Sequence, residues 1–128
     1  MSEDRPPASE AALRTIAMPA DANPSGDIFG GWLLSQMDLA GGVAAAQRAQ
    51  GRVATIAIEA MKFHKPVMVG DEVSCYCTVA RVGTTSLTIH IESWVRRANC
   101  RERIKVTEGM FTYVALDSGR KPRPVDRA

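Results

Sequence analysis

The sequence NPSGDIFGGWLLSQMDLAGGVAAAQ, residues 23–47, begins as a polar loop rich in glycine and continues as a long apolar segment. From Gly31 to about Gln50 the chain is rich in Ala, Leu, Gln and Met and contains no proline, which favours a helix. Such a helix would be about 30 Å long at about 1.5 Å per residue, enough to cross a small domain. Because it is apolar on nearly all sides, we expect it to be buried.

The chain after this helix predicts strands. Four long runs of apolar or alternating residues follow one another, and a shorter run, Leu13–Met18, precedes the loop. The connections VGTTS and RANCRE are short, so the strands that they join are expected to be antiparallel neighbours. An antiparallel sheet wrapped around one central helix satisfies the apolar helix and the one-sided strands, so the predicted fold class is α+β. In the last run, the residues expected on the apolar face are Ile104, Val106, Met110 and Val114.

The length and charge bound the class of protein. A chain of 128 residues suits one domain. We predict that domain at residues 11–116, between a flexible N-terminal tail, 1–10, and a C-terminal tail, 117–128. The net charge of +2 does not point to nucleic acid as a partner. No apolar run reaches the roughly 18 residues that a membrane span needs, so no membrane partner is expected and the protein is predicted to be cytoplasmic.

The cysteines do not suggest a disulfide framework or a metal site. Cys75, Cys77 and Cys100 are three in number and lack a framework spacing, which is typical of reduced thiols in a cytosol. His64 and His90 lie apart from them without the spacing of a ligand set, so no metal is predicted. We expect the cysteines to be buried as small apolar residues.

Asp38 is the one charged residue inside the apolar segment. On a helix it shares a face with Gly31, Ser35 and Gly42, a line of small and polar residues. A buried carboxylate is costly unless it is paired or hydrogen-bonded, so Asp38 is either compensated structurally or used chemically. Gly30 and Gly31 leave the first helical amides uncovered, where they can bind an anion or polarise a carbonyl oxygen. The glycine spacing matches neither the dinucleotide fingerprint nor the phosphate-binding P-loop.

A sheet with a single helix leaves surface that something else must cover. The predicted strands have apolar, β-rich edges, and unpaired edges invite association. A second copy of the chain is the simplest cover, so a homodimer is expected.

Three runs of the sequence carry a family resemblance. MPADANPSGDIFGGWLLSQMD, then RVATIAIEAMKFHKPVMVGDEV, then VGTTSLTIHIESWV resemble the acyl-CoA thioesterases of the hotdog fold, most closely their YciA-like branch. The likeness spans Leu13–Leu116 and implies a sheet wrapped round a central helix. It implies hydrolysis of acyl-CoA to the free acid and CoA, with no cofactor because CoA is part of the substrate and product. It also implies a dimer with sites at its interface, commonly in a trimer of dimers, which is a hexamer.

The resemblance assigns roles to individual residues. Asp38 matches the helix carboxylate that is catalytic in the family. Asp27 matches a loop position that faces this carboxylate from the other subunit, and the amides of Gly30 and Gly31 match the groups that would hold the thioester oxygen. The residues expected to contact substrate are Asn23, Ser35, Gly83, Thr84, Thr85 and Ser86, of which the last four form the hairpin that tends to touch CoA.

The chemistry of the residues agrees with this assignment and leaves alternatives open. Thioester hydrolysis needs a base or nucleophile and an oxyanion donor, and Asp38 suits either role. An enoyl-CoA hydratase or dehydratase of this fold generally relies on a histidine beside the helix carboxylate, and the absence of histidine from the glycine loop counts against this alternative. A non-catalytic acyl-CoA binding module would use the same groove. Arginines at 96–103 and 120–123 are candidate partners for the CoA phosphates.

Overall fold

The computed structural model describes residues 5–126, so residues 1–4 of the predicted N-terminal tail and the last two residues of the C-terminal tail lie outside the described chain. The elements are β1 (Leu13–Ile16), a 3-10 turn (Pro19–Asp21), α1 (Gly30–Ala49), β2 (Val53–Phe63), β3 (Glu72–Val82), β4 (Ser86–Arg96) and β5 (Arg103–Ala115). The five strands form one antiparallel sheet in the order β1-β3-β4-β5-β2. The long helix, α1, packs against it, which confirms the predicted α+β architecture. Within the described range, no helix has the length and hydropathy that a membrane span requires.

Helix α1 is apolar on nearly all sides but buried on one side only. It ends at a C-cap, Gln50, whose left-handed φ of 54° turns the chain toward β2. Leu39 and Val43 are 58% and 47% exposed, so the expected burial on all sides is wrong for the single protomer. The reason is geometric, because one sheet covers only one side of a helix. The buried side carries Leu33, Met37, Ala40, Gly41, Ala45 and Ala49.

Strand β5 departs from its predicted face. A bulge opposite Ser93 and Trp94 leaves Val106 without a cross-strand partner, and both Val106 and Thr107 are buried. The extra residue changes the phase of all that follows, since side chains alternate with a period of two. The core side therefore consists of Gly109, Phe111, Tyr113 and Ala115 instead of the predicted Met110 and Val114.

Strand β2 forms one edge of the sheet and pairs only with β5. Its exposed residues include Ile56 and Ile58, and a bulge near Ala60, at a φ of 55°, interrupts the pairing. An exposed apolar edge strand beside the exposed side of α1 is the kind of surface that proteins cover by association.

The segment after β5 packs back onto the domain. Asp117 closes a turn by accepting the amides of Gly119 and Lys121. Beyond the turn, the Arg123 guanidinium donates to the carbonyl of Ala49 at 2.8 Å, at the C-terminal end of α1. Val125 is 2% exposed. This segment therefore supports the helix end, so it is more than the solvated basic tail that its sequence suggests.

Candidate functional site

Asp38 lies in the third turn of α1 and is held by two hydroxyl groups. Its Oδ1 accepts hydrogen bonds from Thr55 Oγ1 at 2.7 Å and from the Tyr113 hydroxyl at 3.0 Å. Its Oδ2 accepts none from the described part of the chain. One carboxylate oxygen is thus anchored and the other is available for chemistry, so the burial of this acid is compensated without using up its reactivity.

The two hydroxyl donors, Thr55 and Tyr113, were not among the site residues predicted from the sequence. Thr55 is the third residue of the apolar strand β2, and Tyr113 faces the core only because of the β5 bulge. Burial and the hydrogen bond to Asp38 raise the pKa of Tyr113 far above its ordinary value. Tyr113 therefore stays a protonated donor at any physiological pH.

Gly41 makes the approach of Tyr113 possible. A Cβ at this position would overlap the Tyr113 hydroxyl and lie 2.6 Å from Ile91 Cδ1. A Cβ at the neighbouring Gly42 would meet nothing within 4 Å. The pair therefore forms a matched test of packing against the helix.

We expect Gly41→Ala to reduce the free energy of unfolding by about 1–3 kcal/mol relative to Gly42→Ala, because overpacking a core typically costs that much. Both substitutions gain the same helix propensity, which cancels in the comparison. Urea unfolding followed by circular dichroism measures the difference, and kcat of Gly41→Ala should fall as Tyr113 is displaced. Equal stability of the two variants would show that Tyr113 moves aside without cost.

A cavity of about 700 Å³ opens beside Asp38. Helix α1 forms one wall and the start of β2 forms the other, and the apolar side chains of Leu39, Val43 and Val53 are part of the lining. The cavity is large enough for part of an extended ligand. Its remaining lining residues are Asp38, Gly42, Ala46, Gly51, Arg52, Thr55 and Tyr113.

The start of α1 carries free backbone donors. The amides of Gly30 and Gly31 have no acceptor among residues 5–126, as expected for the first residues of a helix. Asp27 is exposed, and its carboxylate has no partner in the same part of the chain. Gly30 and Asp38 are eight positions apart on the helix, or about 12 Å. One protomer therefore does not bring these groups together around a single carbonyl.

Other predicted contact residues have structural partners. Asn23 Oδ1 accepts the amides of Ser25 and Asp27, which shapes the loop before α1. Ser35 Oγ donates to the Trp32 carbonyl and leaves Asp38 to Thr55 and Tyr113. In the hairpin Gly83–Ser86, the carbonyls of Thr84 and Thr85 accept the amides of Val125 and Ala115, which places the hairpin at the C-terminal end of α1.

Neither histidine stands near Asp38. His64 Nε2 and His90 Nε2 both contact the Glu108 carboxylate, at 2.8 and 3.2 Å. Glu108 and His90 alternate with core residues, so they lie on the sheet face away from the helix. Burial alone would raise the pKa of Glu108, but hydrogen bonds from both histidines and the nearby Lys105 lower it to about 2.

The cysteines offer no reactive thiolate at the site. Cys75 is buried, as expected, and Cys77 is partly buried, whereas the expected burial of Cys100 is wrong because it lies in the exposed β4–β5 connection. Burial raises the pKa of Cys75 to about 11 and that of Cys77 to about 12. Both remain thiols, so Asp38 is the side chain in this region suited to act as a base or nucleophile.

Comparisons with known proteins place this geometry in context. The family model of the Thioesterase superfamily matches residues 25–99. The chain is 51% identical over 125 residues to the acyl-CoA thioester hydrolase YciA of Salmonella typhimurium, covering 95% of this chain and 94% of that one. Its structure is similar to that of a hexameric thioesterase from Yersinia pestis, with a TM-score of 0.89, 51% identity, and coverage of 95% and 99%. It is also similar to a hexameric hotdog fold thioesterase of Campylobacter jejuni, with a TM-score of 0.87, 41% identity, and coverage of 92% and 91%.

Proposed function

The chain belongs to the Thioesterase superfamily, and from that premise we propose how it acts as an acyl-CoA thioester hydrolase, with Asp38 as the reacting side chain. The reaction converts an acyl-CoA and water to a free carboxylic acid and CoA. The observation that carries the assignment of Asp38 is its one-sided anchoring, with Thr55 and Tyr113 on Oδ1 and no described partner on Oδ2. CoA is part of the substrate, so the proposed chemistry requires no cofactor.

The free oxygen of Asp38 supports two routes. As a general base, Oδ2 removes a proton from water while the hydroxide attacks the thioester carbonyl; the C–S bond then breaks and the CoA thiolate takes the proton back. As a nucleophile, Oδ2 attacks the carbonyl and expels CoA, and water then hydrolyses the mixed anhydride. Both routes develop negative charge on the carbonyl oxygen, which two free helix amides can stabilise.

The amides that meet this oxygen are proposed to come from another protomer. Those of Gly30 and Gly31 lie about 10–12 Å along the helix from Asp38 of the same chain, too far for one carbonyl. A two-fold dimer formed over the exposed side of α1 and the β2 edge would bring the start of one helix toward the middle of the other. Asp27 would then face the partner's Asp38. Since the similar Yersinia and Campylobacter enzymes are hexameric, a trimer of such dimers is the proposed assembly.

The positions of the histidines weigh against the hydratase alternative. Both histidines are hydrogen-bonded to Glu108 on the sheet face away from the helix, so neither lies beside Asp38. In a binding module without catalysis, the free oxygen of Asp38 would take no part in a reaction. The groove would then bind acyl-CoA and release it unchanged.

Thiol release distinguishes these activities directly. The purified protein is mixed with saturated and 2-enoyl acyl-CoA substrates, with a thiol reagent to detect free CoA and absorbance to detect the conjugated double bond. We expect stoichiometric CoA and free acid from both substrates, with the double bond retained in the enoyl product. Loss of the double bond without thiol release would indicate a hydratase, and tight binding with neither change would indicate a binding module.

A further inference from the structure

Arg52 occupies the mouth of the Asp38 cavity. It lies between the C-cap of α1 and the first residue of β2, and its carbonyl accepts the Leu116 amide, which fixes its backbone. Its side chain is exposed and lines both the Asp38 cavity and an adjoining one of about 380 Å³. The other residues of the adjoining cavity are Leu116, Asp117 and Ser118.

Within the described chain, the Arg52 guanidinium has no partner, whereas the nearby guanidinium groups of Arg48 and Arg123 do. Arg48 pairs with Asp126 at 2.7 Å, and Arg123 donates to the carbonyls of Leu116, Pro124 and Ala49. Over residues 5–126, Arg52 makes no side-chain hydrogen bond or ion pair. The Asp117 carboxylate beside it instead accepts two turn amides. A free fork of donors at a cavity mouth suits a phosphate group.

We propose that Arg52 binds the diphosphate of the CoA moiety, an inference that rests on the proposed hydrolase function. Thr55, whose hydroxyl donates a hydrogen bond to Asp38, is three strand residues from Arg52, or about 10 Å. The arginine side chain extends several ångströms further. The pantetheine arm from sulfur to the first phosphorus has about as many bonds as four peptide residues and spans roughly 14 Å. With the thioester at Asp38, the diphosphate therefore reaches Arg52.

Three of the four arginines in residues 96–103 are engaged elsewhere. Arg96 pairs with Glu72, Arg97 donates to the Pro66 carbonyl, and Arg103 donates to the Tyr76 hydroxyl. Ten residues of β5 separate Arg103 from Tyr113, or about 33 Å, so in one protomer these arginines lie at the far end of the sheet. The hairpin Gly83–Ser86 lies at the end of the sheet near Arg52. The Thr85 carbonyl accepts the Ala115 amide, and the carbonyl of Arg52 accepts the amide of the next residue, Leu116.

The test compares two thioesters with the same acyl group, one on CoA and one on pantetheine, which lacks the phosphates. For Arg52→Gln we expect KM for acyl-CoA to rise about tenfold, since hydrogen bonds between charged groups are typically worth that much. We expect kcat to change little, because the contact is the same in the ground and transition states. KM for acyl-pantetheine should not change. The KM of Arg52→Lys for acyl-CoA should lie between those of wild type and Arg52→Gln.

Increasing salt should raise the wild-type KM for acyl-CoA and reduce the difference in KM between wild type and Arg52→Gln.

Arg101→Gln is the matched control, since Arg101 is also exposed and lacks a side-chain partner within the described chain, but lies in the β4–β5 connection at the far end of the sheet. Its KM should equal that of wild type. With acyl-3′-dephospho-CoA, Arg52→Gln should raise KM by the same factor as with acyl-CoA. A rise in KM seen only with intact acyl-CoA would mean that Arg52 contacts the 3′-phosphate, and would overturn the proposal. Unchanged KM in Arg52→Gln, or a rise in Arg101→Gln instead, would also overturn it. Absence of thiol release by the wild-type protein from both thioesters would contradict the hydrolase function itself.

Discussion

Asp38→Asn is expected to lower kcat for acyl-CoA hydrolysis by a factor of about 100 or more, which is the usual contribution of general-base catalysis. The asparagine side chain has the same shape, and its carbonyl oxygen can accept the hydrogen bonds of Thr55 and Tyr113. It cannot take a proton from water or form an anhydride. Folding should therefore persist while turnover is lost, as measured by thiol release and by urea unfolding of the same preparation.

A control is needed for the loss of one negative charge. Glu102→Gln removes a carboxylate from the exposed β4–β5 connection, where it has no side-chain partner within residues 5–126. Its kcat should stay close to that of wild type. A folded Asp38→Asn enzyme with near-wild-type kcat would exclude Asp38 from the chemical step.

The secondary structure was largely predictable because its signals are local. The apolar stretch without proline indicated a helix from Gly31 to about Gln50, and α1 spans Gly30–Ala49. Alternation indicated the strands, and short connections indicated the hairpins. The face of β5 was not predictable, because the bulge at Val106 depends on its pairing with β4 and shifts every later side chain by one.

The candidate site was predictable only in part. Asp38 stood out because a lone charge in an apolar segment needs an explanation. Thr55 and Tyr113 did not, because they meet Asp38 only when β2 pairs with β5 across a crossover in the sheet. Gly41 and its neighbour Gly42 look alike in sequence, and only the packing of Tyr113 separates their roles.

The roles of individual arginines were the hardest to predict. The sequence indicated Arg123, in the C-terminal tail, as a candidate partner for the CoA phosphates and did not indicate Arg52. The fold gives Arg123 the carbonyls of the helix end and leaves Arg52 free at a cavity mouth. Removing residues after Leu116 would therefore also remove the buried Val125, so a truncation would not isolate an effect on CoA binding.

The second large effect is expected from mixing two variants that are each inactive. If Asp27 of one chain faces Asp38 of another, Asp27→Ala and Asp38→Ala each lack one half of every site in their own homodimers. In a mixed dimer, one of the two sites receives both native residues and the other receives neither. Random exchange makes half of the dimers mixed, so about a quarter of all sites should be native.

The central claim, a site shared between two chains, is tested most directly by the thiol-release rate of this mixture. Equal amounts of the two variants, carrying different affinity tags, are incubated until both tags purify together, which demonstrates exchange. The shared site predicts that activity rises from near zero to about a quarter of the wild-type rate per chain. Tags that purify together while activity stays at the level of the separate variants would contradict it.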